Sequence, residues 1–234
     1  MKSEYNIGLI GDLNGAIETT LEVLAARDFP IGKIFPLVNG ADLFNTVRIN
    51  ESDQDDDDQD DEYADDEEGE IQANRVMFAG TPVDVVELDG FDWEQLDIAF
   101  FLTDTETTQK WADIASEHCV VIDNSGTFLG DENVPLVQVG VNEDNIGHYA
   151  NTNKLSIPSS EAAQLAIAIN QLHQEVGLVR VSVSSYHSVS SAGKAGVTTL
   201  AGETARLLNA KGIEASTFPQ QSAFNVFPQL GDFN

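Results

Sequence analysis

The sequence predicts an α/β protein, with a Rossmann-like parallel-sheet domain followed by an incomplete α+β domain. Three observations carry this expectation. Through position 149, short apolar runs ending in glycine or polar residues alternate with helix-period segments, the pattern of parallel strands joined by crossover helices. Beyond that, two helical segments and two short strands are too few to close a second sheet. The length of 234 residues, 41% hydrophobic and 8% aromatic, suits one full domain and part of another.

Taken in order, "YNIGLIG" (5–11) is an apolar run ending in glycine and reads as a first buried strand. "AIETTLEVLAAR" (16–27) has helical spacing through Ile17, Leu21 and Leu24 and stops before Pro30. "KIFPLVNG" (33–40) reads as a second strand. "VMFAGTPVDVVEL" (76–88) suggests a hairpin, and "FDWEQLDIAFFLTD" (91–104) a turn leading into a buried strand. A helix is expected at 106–117, then a strand in "CVVIDNS" (119–125).

The second half changes character. "SSEAAQLAIAINQLHQEVG" (159–177) reads as a helix, with Ser at its start and Gly after its end. "LVRVSVSSYHSV" (178–189) alternates apolar and polar residues, as a half-buried strand does. "AGKAGVTTLAGETARLLNAKG" (192–212) predicts a further helix, and another short strand is expected before "SAFNVFPQLGDFN" (222–234). The stretch "ANTNKLSIPSS" (150–160) is read as the opening of the second domain, leading into a helix. The expected domains are therefore 1–149 and 150–234.

The formal charge is −29, from 40 acidic and 11 basic residues. Residues 51–70, "ESDQDDDDQDDEYADDEEGE", hold 14 of the acidic ones and no basic one; without them 26 acidic still face 11 basic residues, −15. Such a field disfavours nucleic acid and anionic membranes as partners. The acidic run lacks the glycine and spaced glutamate of an EF-hand loop and is expected to be a disordered insertion at 50–70. No apolar run reaches membrane-spanning length, and the N-terminus lacks a signal peptide's apolar core. The chain is expected to be cytoplasmic.

Few motifs stand alone. The first strand–helix turn, "GDLNGAIE", has only Gly11 and Gly15, and the charges of Asp12 and Glu18 oppose a phosphate. Asn124 and Ser125 fall at a predicted strand end, where open α/β sheets place their sites; taken alone, capping and turn chemistry for "NSG" is the better explanation. His118, His148, His173 and His187 show no metal spacing with one another or with Cys119, so no metal site is expected. Cys119, the one cysteine, opens a buried strand and reads as an inert thiol. "SSYHSVSSAGKAG" (184–196) is either a flexible connection or an anion-holding turn using backbone amides and Lys194.

In order, the segments "LEVLAARDFP", "FDWEQLDIAFF", "VIDNSGTF…DENVPLVQVGVN", "ANTNKLS", "SSYHSVSSAGKAG", "LAGETARLLN" and "AFNVFP" resemble the aspartate-semialdehyde dehydrogenase family, and more closely its Usg-type relatives, whose active sites have drifted. The resemblance implies an NADP-binding first domain and a dimerisation domain after it. It implies chemistry on a cysteine thiolate at the start of the second domain's first helix, in a motif written A-N-P-N-C-S/T. Aligned on "ANTNKLS", Lys154 stands where that cysteine belongs, and His187 stands for the glutamine that assists it. An amine can form a Schiff base, but not the acyl-thioester that the family's phosphate step requires.

Asn14 and Ile17 replace later glycines of the family's first turn, and Leu129 replaces its phosphate-holding arginine. The loop that receives the NADP 2′-phosphate falls where this chain turns acidic. Ser156, the hydroxyl nearest Lys154, reads as a helix-start residue. Gly11, Asn124, Asn153, Gly193 and Lys194 match cofactor-binding positions. The family pattern extends past Asn234, to a substrate-binding arginine and a catalytic histidine, so the second domain is expected to be truncated. By resemblance, then, the chain is a homologue that has lost catalysis, acting as a binding or structural subunit, in a homodimer or with a related dehydrogenase chain. The alternative is an NAD(P)-dependent oxidoreductase of altered chemistry acting on an aldehyde or semialdehyde in amino-acid biosynthesis.

Overall fold

The computed structural model describes residues 3–11, 13, 15–40, 75–213 and 217–228, with Lys194 described by its backbone alone. The acidic insertion expected at 50–70 lies outside the described residues, as do Asp12 and Asn14. The chain divides into two compact units, Met1–Gln174 and Glu175–Asn234.

The first unit is built on a six-stranded, wholly parallel sheet. Its strands are β1 (Tyr5–Gly11), β2 (Ile31–Val38), β5 (Val86–Glu87), β6 (Ile98–Leu102), β7 (Val120–Asp123) and β8 (Lys154–Ser156). They lie in the order β5-β2-β1-β6-β7-β8. A sheet covered on both faces needs apolar side chains on both, which is why β1 and β6 read as continuous apolar runs. Ile7 and Leu9 of β1 pack with Ile34 of β2, Val76, and Ile17 and Leu21 of helix α1 (Ala16–Ala26). Ile10 points to the other face. There it joins Leu37, Ala99, Phe101 and Val121 under Trp111, Ala112 and Ala115 of helix α2 (Thr105–Ser116). Trp93 sits in that core, stacked on Phe101 and edge-on to Phe91.

The expected hairpin is β3 (Arg75–Phe78) with β4 (Thr81–Asp84). Its two-residue loop, Ala79-Gly80, has φ of 47° and 79°, the paired positive values that a tight hairpin's twist demands.

Three expectations need correction. The stretch from Ala150 does not lead directly into a helix. Residues 143–151 form 3-10 turns, Lys154–Ser156 is strand β8, and helix α3 (Ser160–Val176) begins only at Ser160. In the second unit, 178–188 forms no strand. Its alternating Val179, Val181 and Val183 are exposed, and no other strand exists among that unit's described residues to pair with it. Alternation prepares a segment for a sheet, but backbone N–H and C=O groups need a neighbouring strand to form one. The second short strand, expected before position 222, is likewise absent among the described residues. What orders this unit is helix α4 (Gly193–Leu208), held to 222–223 through Glu203. Among the described residues, no helix is long and apolar enough to cross a membrane.

Candidate functional site

In a parallel sheet all strands end on one edge, and here that edge carries Gly11, Leu102, Asp123 and Ser156. Gly11 has φ +152°, and a Cβ there would sit on the Leu102 carbonyl oxygen. Close packing of β1 on β6 thus requires this glycine.

Asp123 is fully buried and organises the loop after β7. Its Oδ1 accepts from the Ser125 backbone N–H at 2.8 Å and the Ser125 hydroxyl at 2.5 Å; its Oδ2 accepts from the Phe128 N–H and the Ser156 hydroxyl, both at 3.4 Å. Asn124 is exposed beside it, its backbone N–H bonded to the Phe101 carbonyl at 3.0 Å. One strand away, Asp104 caps α2, accepting from the Thr107 N–H at 2.8 Å and the Thr107 hydroxyl at 3.3 Å.

Of the residues singled out in the sequence, Gly11 and Asn124 share this edge. Asn153 and Lys154 do not. Lys154 is the first residue of β8, level with Val121 inside β7. Asn153, at φ +54°, precedes it and donates to the Ser116 carbonyl at the far end of α2. Both stand before the edge along the chain, at the N-terminal end of β8. The Lys154 ammonium is ion-paired with Asp113 and lies over the Phe128 ring.

Following β8 to the site edge leads past Ser156, whose neighbour Ile157 donates its N–H to the Asp123 carbonyl at 2.9 Å, to Pro158, Ser159 and Ser160. The Ser159 hydroxyl accepts from the Ala162 N–H at 3.4 Å and caps α3. The residue at the helix start is therefore Ser160. The signals for it were in the sequence: the "SSE" capping pattern, and the proline of "SIPSS" two residues before, as in A-N-P-N-C. Ser156 is a buried strand residue, not a helix start.

Gly193, Lys194 and His187 lie in the second unit. Gly193, at φ +65°, joins a 3-10 turn (Val189–Ala192) to α4, and Lys194 follows it. His187 Nε2 is 2.9 Å from the Ser185 hydroxyl. Leu129 is exposed on the loop after β7. Cys119 is buried, its thiol donating to the Ala115 carbonyl at 3.3 Å. Burial, then the nearby Asp97 carboxylate, push that thiol up to about 12. Among the described residues no three His, Cys, Asp or Glu side chains converge as a metal site. A pocket of about 300 Å³ between Glu132 and His148 shares no lining residue with the sheet edge.

A dinucleotide on this edge would need backbone N–H groups and positive charge for its diphosphate. Among the described residues the donor set does not fit. Helix α1 starts at Gly15 without a side-chain cap and carries Glu18 in its first turn; helix α2 has its first N–H groups turned to Asp104, with Glu106 next to them. Ile17, at a family glycine position, is fully buried in the core.

Residues 49–149 match the family model described as semialdehyde dehydrogenase, NAD binding domain, and 169–234 match semialdehyde dehydrogenase, dimerisation domain. Aspartate-semialdehyde dehydrogenase 2 of Vibrio cholerae serotype O1 is 36% identical over 234 residues, all of this chain and 61% of that protein. Aspartate-semialdehyde dehydrogenase of Shewanella violacea is 33% identical over the same span, again 61% of its length. Among solved structures, aspartate semialdehyde dehydrogenase II of Vibrio cholerae complexed with ASA matches with a TM-score of 0.82 at 35% identity, covering 99% of this chain and 61% of that one. A probable aspartate-semialdehyde dehydrogenase of Pseudomonas aeruginosa gives 0.79 at 28% identity, covering 99% and 60%. The chain thus spans about three fifths of the length of these relatives.

Proposed function

We propose, from the premise that this chain belongs to the semialdehyde dehydrogenase family, that it is a non-catalytic, Usg-type member acting as a binding or structural subunit. The observation that carries this is the position of its thiol. The helix that begins at the sheet's C-terminal edge opens with Ser160, and the single cysteine, Cys119, is buried in the core with its thiol pushed up to about 12. Covalent chemistry through a thioester requires a thiolate at the reacting centre. A serine hydroxyl there needs a base, and Ser160 has no histidine or carboxylate hydrogen-bonded to it among the described residues. Lys154, in its ion pair with Asp113, belongs to the scaffold.

The match to a dimerisation domain over 169–234 supports self-association, with a second copy or a related dehydrogenase chain as the partner. The match to an NAD-binding domain keeps an NAD(P)-dependent oxidoreductase of altered chemistry as the second reading.

The test is aldehyde-dependent NADP reduction with aspartate semialdehyde and phosphate, run on the purified, folded chain. No turnover is expected. Turnover that disappears in Ser160→Ala would establish the second reading instead.

A further inference from the structure

Two of the helices that start at the C-terminal edge of the sheet, α1 and α2, carry carboxylates of their own in the first turn. Helix α1 has at its N-cap Gly15, which has no side chain to cap with, the arrangement in which a helix N-terminus attracts a phosphate, but Glu18 lies in its first turn. A full negative charge there offsets the half charge that the helix dipole presents. At α2 the Thr107 N–H and hydroxyl are both taken by Asp104, and Glu106 adds a second carboxylate in the same turn. Among the described residues that follow β1, β2, β6 and β7 at this edge (13, 15, 39–40, 103–104 and 124–127), Asp104 is the charged one and there is no lysine or arginine. The one glycine there that is fully buried, Gly11, is fixed by the Leu102 carbonyl and opens no cradle for a ligand.

We infer that these carboxylates, Glu18 and Asp104 foremost, exclude the diphosphate of a nicotinamide dinucleotide from this edge, so that the domain keeps the nucleotide-binding fold without the nucleotide. The inference is independent of the loss of catalysis. A chain that bound the dinucleotide and did not turn over would refute it and leave the reading above intact.

The experiment is a calorimetric titration of NADP and of NAD into the wild-type chain and into a Glu18→Gln, Asp104→Asn double variant, each checked for folding by circular dichroism. Asparagine also caps helices, so the second substitution removes charge and keeps the cap. The wild type is expected to show no saturable binding up to roughly 1 mM nucleotide, and the variant to bind at least about ten-fold more tightly. Adenosine, which lacks phosphate, should not distinguish the two proteins. Micromolar binding by the wild type overturns the inference. So does a folded double variant that binds no better than the wild type, or one that gains adenosine binding to the same extent.

Discussion

The ammonium of Lys154 is ion-paired with the carboxylate of Asp113 and stands 4.9 Å from the centre of the Phe128 ring. Strand β8, helix α2 and the loop after β7 are joined at that point. The Lys154 side chain is 13% exposed and that of Asp113 is 77% exposed, so the pair is partly screened. An exposed pair contributes up to about 1 kcal/mol, and a cation over an aromatic face about as much.

Lys154→Met should accordingly lower stability by about 1 kcal/mol in a urea titration followed by tryptophan fluorescence. It should leave nucleotide binding and any reaction with aldehydes unchanged. A protein of unaltered stability that lost a wild-type activity would place Lys154 in a site.

Asp123 should matter more. It is fully buried and accepts four hydrogen bonds, two of them from backbone N–H groups of the loop that follows it. Removing the carboxylate leaves those donors without partners, at about 1–3 kcal/mol for a buried group left unsatisfied. Asp123→Ala is expected to lose about 3 kcal/mol, and Asp123→Asn, which keeps one acceptor, about half of that. Equal loss in the two variants would mean that charge, not hydrogen bonding, holds the loop.

The second unit should loosen in acid at Glu203. Burial raises the carboxyl's pKa, but the Ser222 hydroxyl and the N–H groups of Ala223 and Ser222 hold it down, and the net value lies below the usual 4.5. A group depressed by folding contributes stability that is complete above its unfolded value and is lost as pH falls through the folded one. Hydrogen-exchange protection of the Ser222 and Ala223 amides should therefore be flat from pH 7 to about pH 5 and collapse below about pH 4. In Glu203→Gln the acid step should vanish. An acid step that persists in this variant would assign it to another group.

The buried parallel sheet was legible because its strands are apolar on both faces, and the hairpin because Ala79-Gly80 separates two short runs. The candidate site was legible only in part. Gly11 and Asn124 fall at the strand-end edge, where the sequence places them, because strand ends on a parallel sheet converge whatever their side chains do. That Lys154 opens a strand and not a helix was not legible, because β8 is three residues long, too short for periodicity to register. The start of α3 at Ser160 follows the capping pattern "SSE". For 178–188 the local pattern was real, but pairing is a property of two segments, and a single alternating run does not supply the second. The four-bond role of Asp123 was hidden because "DNSG" reads as an ordinary turn.

Cys119 has a practical consequence as well. One thiol, sealed between α2 and the sheet and held protonated, makes the protein its own opening clock. A maleimide can reach Cys119 only when that layer separates, so in excess reagent the labelling rate, set against that of the unfolded chain, measures how often the first unit opens, with no engineered probe.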